Sequence, residues 1–306
     1  MSFELRRKET VPEGIRRVAC ERIEKALDVL NGQHRGRVAP VGDKAVHEAR
    51  KQFKQLRGAL RLVSDELGEK DFARENRTFR DAGRPLSEVR DAKVMLDTLD
   101  ALKKHYKGKL AAGSFKRVRA ALKARRRDVR QRVLGKKHSI TPVLSQVRKS
   151  SRRVPHWPLE HNGWKAVAGG LGKSYRKGRR AMEAATNGDA PDDDALHEWR
   201  KRTKDLRYQI ELLARAWPET MGPLAESFHH LTDLLGQDHD LVVLQEIVEK
   251  ELNDARADDE CELLKPLIAQ RRSELQKEAR ELGRKLYAES EGEFLDRVHR
   301  YWKAWR

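Results

Sequence analysis

Apolar residues along this chain recur every three to four positions, and that period predicts helices from end to end. Thr10, followed by Pro12, marks a helix start that runs to about Leu30, where the segment NGQHRGRVAPVGD breaks it. From Ala45 to Val63 the residues Val46, Ala49, Phe53, Leu56 and Leu60 share one face, the core-facing stripe of an amphipathic helix. Asp71 to Ala82 continues as helix, with Gly83 and Pro85 expected to interrupt it before a further helix from Leu86 to about Tyr106. Ser114 is expected to cap a helix reaching about Leu134. Residues 135–163, which hold Pro142, Pro155 and Pro158, form a connection with one short helix after Thr141-Pro142.

The second half repeats this plan. Helices are expected from Trp164 to about Thr186, over Ala195 to Leu213 with Asp194 as its cap, and from Glu219 to Leu235 with a stop near Gly236. Asp240 to about Glu251 follows, then a long charged helix kinked at Pro266, then a C-terminal helix. No alternating β-branched run bounded by turns occurs, so no strand is expected and the fold class is all-α.

Two of these helices carry one pattern. AVHEARKQFKQLRGALRLV recurs 150 residues later as ALHEWRKRTKDLRYQIELL, so His47, Arg50, Lys51, Lys54 and Arg57 correspond to His197, Arg200, Lys201, Lys204 and Arg207 without a gap. On a helix these offsets place all five side chains within roughly a 120° arc. The arc borders the apolar stripe, which in the second copy is Leu196, Trp199, Leu206 and Ile210. Like charges crowded on one strip cost stability unless an anion is held there, and Glu48 and Glu198 are expected to point elsewhere. A weaker match pairs LSEVRDAKVMLDTL around Arg90 and Asp91 with LLGQDHDLVVLQEI around Asp238 and Asp240. A repeat this long is a duplicated subdomain, about 5–135 and 163–306, within a single domain spanning the chain.

Charge narrows the partner. With +18 formal charge, a pI near 10.0, 37% charged residues and 6% aromatic ones, the 306-residue chain calls for an anionic partner. Cys20 and Cys261 form no CxxC pair, there is no apolar run near membrane-spanning length, and the N-terminus lacks an apolar signal segment. A soluble cytoplasmic protein with no membrane partner is the expectation.

The paired H-E-x-R-K-x-x-K-x-L-R helices, LRYQIELL after the second and the LGQDHDLVVL segment resemble the CHAD domain, the conserved histidine α-helical domain. The resemblance covers nearly the whole chain. It implies two pseudo-symmetric helical bundles around a central basic groove, binding of inorganic polyphosphate, and location on polyphosphate granules. The ten motif residues are the binding positions it implies, with Arg16, Arg17, Arg77, Arg80, Tyr175, Arg176, Arg179 and Arg180 as additions. The chain has no paired E-x-E-x-K motif of the triphosphate-tunnel domain that sometimes accompanies CHAD, so the resemblance implies no hydrolysis.

Arg offers a planar fork for two phosphate oxygens and Lys a mobile point charge, a mixture suited to a repetitive anion. Neutral His47 and His197 each donate one hydrogen bond and protonated ones donate two, so tighter binding at mildly acidic pH is expected. Catalysis finds no support in the sequence. H-E-x-x-H fails at Lys51, no Gly-rich phosphate loop is present, and no nucleophile has a credible base. His229, His230, Asp233, Asp238, His239 and Asp240 suggest metal ligands, but their first-half counterparts are Arg and Lys, so neither metal nor cofactor is expected. The alternative partner is nucleic acid. It shares the charge argument but needs base-reading side chains or a docking motif, and neither is found.

Overall fold

The computed structural model describes residues 3–31, 33–34, 37–38, 41–111, 113–135, 140–188, 192–251 and 258–306. Parts of the breaks expected around 31–43, 135–140 and 187–194 therefore lie outside the described residues. Ten α-helices are described: α1 (Val11–Leu30), α2 (Asp43–Leu62), α3 (Ser64–His105), α4 (Lys116–Leu134), α5 (Thr141–Arg153), α6 (Lys165–Thr186), α7 (Asp193–Leu213), α8 (Pro218–Glu251), α9 (Asp258–Leu286) and α10 (Glu291–Trp305). Between α1 and α2 a two-residue antiparallel pair, Gln33–His34 with Arg37–Val38, is the one strand feature among the described residues, too short for a periodic signal.

Thr10 caps α1 as expected and closes a capping box with Glu13, and Ser290 and Glu293 do the same on α10. Other helix ends have causes that the sequence pattern does not show. The cap of α7 is Asp192 rather than Asp194, its carboxylate accepting from the backbone of Asp194 and Ala195. Ser114 does not cap α4. Its hydroxyl donates to the Ala111 carbonyl, and the orphan amides of Arg117 and Val118 are met instead by Glu260 from α9.

Two expected stops are helix interior. α3 runs through Gly83 and Pro85, since proline removes one amide bond and its flanks stay buried at Ala82 and Leu86. The real break in α3 is Gly68, whose φ of 69° lies in the left-handed region open to glycine. α8 likewise passes through Gly236. Pro266 lies inside the continuous α9.

The helices pack in the same order in both halves. α2 lies between α1 and α3, and α7 lies between α6 and α8. α2 and α7 meet at the centre, where Gly58 lies against Tyr208, the position 150 residues on. A Cβ on Gly58 would lie 2.6 Å from that of Tyr208, so a larger residue would force the two helices apart. Arg61 on α2 reaches Asp205 on α7 at 3.0 Å and bridges the same seam. α3 also packs on α8, which makes α2, α3, α7 and α8 one central group. α5, inside the expected connection, docks on α1 and α3: Ser150 and Arg153 bind the buried Glu75 carboxylate at 2.6 Å each.

Candidate functional site

The apolar stripe of α2 is buried as its period requires, and so is that of α7, with Trp199 fully enclosed. Because the basic arc borders that stripe, the cations nearest the border are drawn partly under the surface. Lys54 and Lys204, the matched middle positions, are the extreme case. Neither makes an ion pair among the described residues. Burial pushes the Lys54 ammonium down to about 7, and Arg50 and Arg200 push the same way. Lys204 is held well below the usual lysine range by burial, with Lys54 the next cause and Arg200 after it. The two copies of one lysine thus repel each other across the α2–α7 seam.

Arg50 and Arg200 flank them. Arg50 reaches Asp91 on α3 at 3.3 Å. Arg200 lies against α8 where Gly236 has no side chain: a Cβ there would come within 3.1 Å of its Nη2. The glycine expected to stop a helix instead makes room for a guanidinium, whose buried Nε has no hydrogen-bond partner. The His197 ring sits 4.6 Å from that of His239 on α8. Burial, followed by Arg200 and His197, drives His239 down to about 4. Burial also lowers His47 and His197, helped by Arg90 at the first and Arg200 at the second, so both imidazoles stay neutral near pH 7. Asp240 is raised by burial against the pull of Arg200, Lys204 and Arg90.

The centre of the site is thus a cluster of cations from α2 and α7, with Arg90 added from α3 and the neutral imidazole of His239 from α8. Two carboxylates, Asp91 and Asp240, partly offset its charge. Asp240 fits the sequence expectation that it faces groove cations, whereas Arg90, Asp91 and His239 are site residues that the motif helices alone do not predict. The weaker second match, RDAKVML against HDLVVLQ, was the available signal.

The sequence model of the CHAD domain matches residues 21–249, which include both motif helices and all but the last two residues of α8. The chain belongs to the CHAD domain family. Among solved structures it is similar to the crystal structure of the CHAD domain from the plant Ricinus communis, at a TM-score of 0.54 and 18% identity, covering 100% of this chain and 94% of that one. Comparison with curated proteins finds no match.

Within this CHAD domain several expected binding residues are committed elsewhere. Tyr175 is buried, stacked on Phe294 at 4.2 Å with its hydroxyl donating to the Glu289 carbonyl, and is a packing residue rather than a groove residue. Arg16 donates to the Trp157 carbonyl at 2.7 Å, and Arg17 is clamped by Glu9 and Glu21. Arg176 pairs with Glu291 and Arg179 with Glu183, both on the α6 surface. Arg207 is tied to Glu211 at 2.7 Å. Glu48 points to Lys25, as its place off the arc requires, but Glu198 turns back to Lys201 at 2.5 Å, so the second arc does hold an acid. Arg80 pairs with Asp81, whereas Arg57 is held only through its Nε, by Asn76 at 3.0 Å, and stays beside the seam. Lys51, Arg77 and Arg180 are exposed.

The suspected metal run separates along α8. His229 lies 3.1 Å from Asp233, His230 lies 3.2 Å from Glu278, and Asp238 binds Arg272 at 3.0 Å. Among the described residues no three such groups converge on one point, and no helix is long and apolar enough to cross a membrane.

Proposed function

We propose that this CHAD domain binds inorganic polyphosphate as a non-catalytic module, holding the chain between α2 and α7. The observation that carries this reading is the half-buried state of Lys54 and Lys204, without an ion pair among the described residues, beside Arg50 and Arg200. A buried charge without a partner costs several kcal/mol, and an anion entering the seam offsets that cost. The anion must be narrow, unbranched and highly charged to meet all four cations at once. Polyphosphate offers about one negative charge per phosphate and no bulky groups.

The same site gives duplex DNA no recognition element, since the cations lie partly beneath the surface rather than on a protruding helix. Placement of the protein on polyphosphate granules follows from this reading as its cellular role.

The test is a calorimetric titration with long-chain polyphosphate at near-physiological salt, with and without DNA of matched phosphate content. Polyphosphate is expected to win, and a Lys54→Gln/Lys204→Gln variant is expected to lose most of the affinity while its circular dichroism stays helical. DNA competing phosphate for phosphate, or normal binding by the variant, sinks the proposal.

A further inference from the structure

Beside the groove, between α2 and α3, lies a pocket of about 440 Å³. Its size falls in the range that takes a small ligand or one end of a larger one. Five cations line it: Arg50, Lys54 and Arg57 from α2, and Arg80 and Arg84 from α3. Its floor is the stacked pair Phe53 and Phe79, with centroids 6.3 Å apart. The floor supplies no hydrogen-bonding group, and an apolar surface beneath a bound anion strengthens each charge contact.

We infer that this pocket receives the terminal phosphate of a linear polyphosphate, so that the domain distinguishes chain ends from chain interiors. The inference rests on the groove reading above and names which part of the polymer goes where. Arg50 and Lys54 belong to groove and pocket alike, so a chain lying in the seam has a continuous path of positive charge into it.

A terminal phosphate differs from an interior one in two ways that the pocket matches. It has three non-bridging oxygens instead of two, and its second ionisation, near pH 6 for a phosphate monoester, brings it to about −1.5 to −2 at pH 7. The guanidiniums of Arg50, Arg57 and Arg84 suit that group, because each planar fork takes two oxygens. Arg57 is fixed through its Nε by Asn76 at 3.0 Å, which leaves its outer nitrogens for the ligand. Arg84 has no ion-pair partner among the described residues. The one acid in the lining, Asp81, is taken by Arg80 at 2.9 Å.

The matching side of α7 is packed. Thr203, at the position of Phe53, is buried with its hydroxyl 3.2 Å from that of Tyr287. The α7 side therefore lacks the Phe floor of the pocket beside α2, and a bound chain has one such place for an end.

The experiment compares linear triphosphate with charge-matched cyclic tetrametaphosphate, which has no ends, in competition against long-chain polyphosphate. The wild type is expected to favour the linear compound by about tenfold. Arg84→Gln is expected to bring the two close to parity. Gly83→Leu should do the same by filling the space, since a Cβ there would lie 3.9 Å from Phe53 and the rest of the side chain would project onward. Equal binding of linear and cyclic compounds by the wild type, or a linear preference that both variants keep, overturns this inference alone. Failure of the long chain to bind at all overturns the groove reading, and this one falls with it.

Discussion

Replacing Lys54 by Met should make the free protein more stable while it weakens ligand binding, and the size of the gain should depend on pH in a fixed direction. Met keeps the length and most of the volume of the lysine stem, so little packing changes. What disappears is a buried ammonium that burial, Arg50 and Arg200 all disfavour, lowering it from 10.5 to about 7. Each pH unit between those values corresponds to about 1.4 kcal/mol, so charging Lys54 in the folded protein costs on the order of 4 kcal/mol at neutral pH. Because Lys54 is only half-buried and solvent screens part of that penalty, the net gain expected from the swap is about 2 kcal/mol.

The sign follows from proton counts. Between about 7 and 10.5 the unfolded chain holds a proton on Lys54 that the folded chain has lost, so wild-type stability rises with pH across that window. Below about 7 both states are protonated and the penalty is full; above 10.5 both are neutral and it is gone. The stabilisation by Lys54→Met should therefore be largest at pH 6 to 7 and shrink steadily toward pH 10. Urea unfolding followed by circular dichroism at pH 6.5, 8 and 9.5 reads it directly. A destabilised variant, or a gain that does not change with pH, would refute the claim that Lys54 is held charged at a cost in the empty site.

Four further outcomes follow from the same structure. In the proposed complex polyphosphate would restore the Lys54 charge, so binding above pH 7 should take up a proton, and affinity should fall by up to about tenfold per pH unit between 7 and 9; calorimetry in buffers of different ionisation enthalpy would show the uptake. Asp91→Asn releases Arg50 from its carboxylate and should tighten polyphosphate binding by about 1 kcal/mol, measured by competition titration. Gly236→Ala adds helix propensity worth up to about 1 kcal/mol but puts a Cβ 3.1 Å from Arg200, so thermal stability should hold or rise while affinity drops severalfold. Burial would raise the Glu75 carboxyl, but Arg153, Ser150 and Arg74 overcome it and hold the group below its ordinary value, so its contribution is present above pH 4.5 and fades as pH falls through the lowered value. Glu75→Ala should cost about 3 kcal/mol at pH 7, seen as a lower urea midpoint, and less at pH 3.

What the sequence made legible is what depends on neighbours within one helix. The stripe Val46, Ala49, Phe53, Leu56 and Leu60 is buried, and the adjoining arc carries the cations, because both are set by a 3.6-residue period. The helix ends went astray where the partner came from far along the chain, as with Glu260 capping α4 from α9. Gly236 and Gly83 were read as breakers because turn chemistry is their commonest local use. In the fold Gly236 answers to Arg200, 36 residues earlier, and Gly83 opens a pocket beside Phe53, 30 residues earlier. The outer arginines failed for a related reason: composition counts them as positive, but Arg17, Arg176 and Arg207 have acids within reach and their charge is locally spent.

This sorting of cations bears on how a chain with +18 formal charge can select one polyanion over others. Exposed arginines that are already paired add little to affinity and are screened by salt. The seam is different, because burial and neighbouring cations lower both of its lysines, Lys54 to about 7, and a dense anion would favour their charged forms. A ligand of low charge density would favour those forms less and would pay for displacing Asp91 and Asp240 as well. Selectivity of this kind grows from destabilisation of the empty site, so stability and binding should move in opposite directions across substitutions at positions 50, 54, 200 and 204.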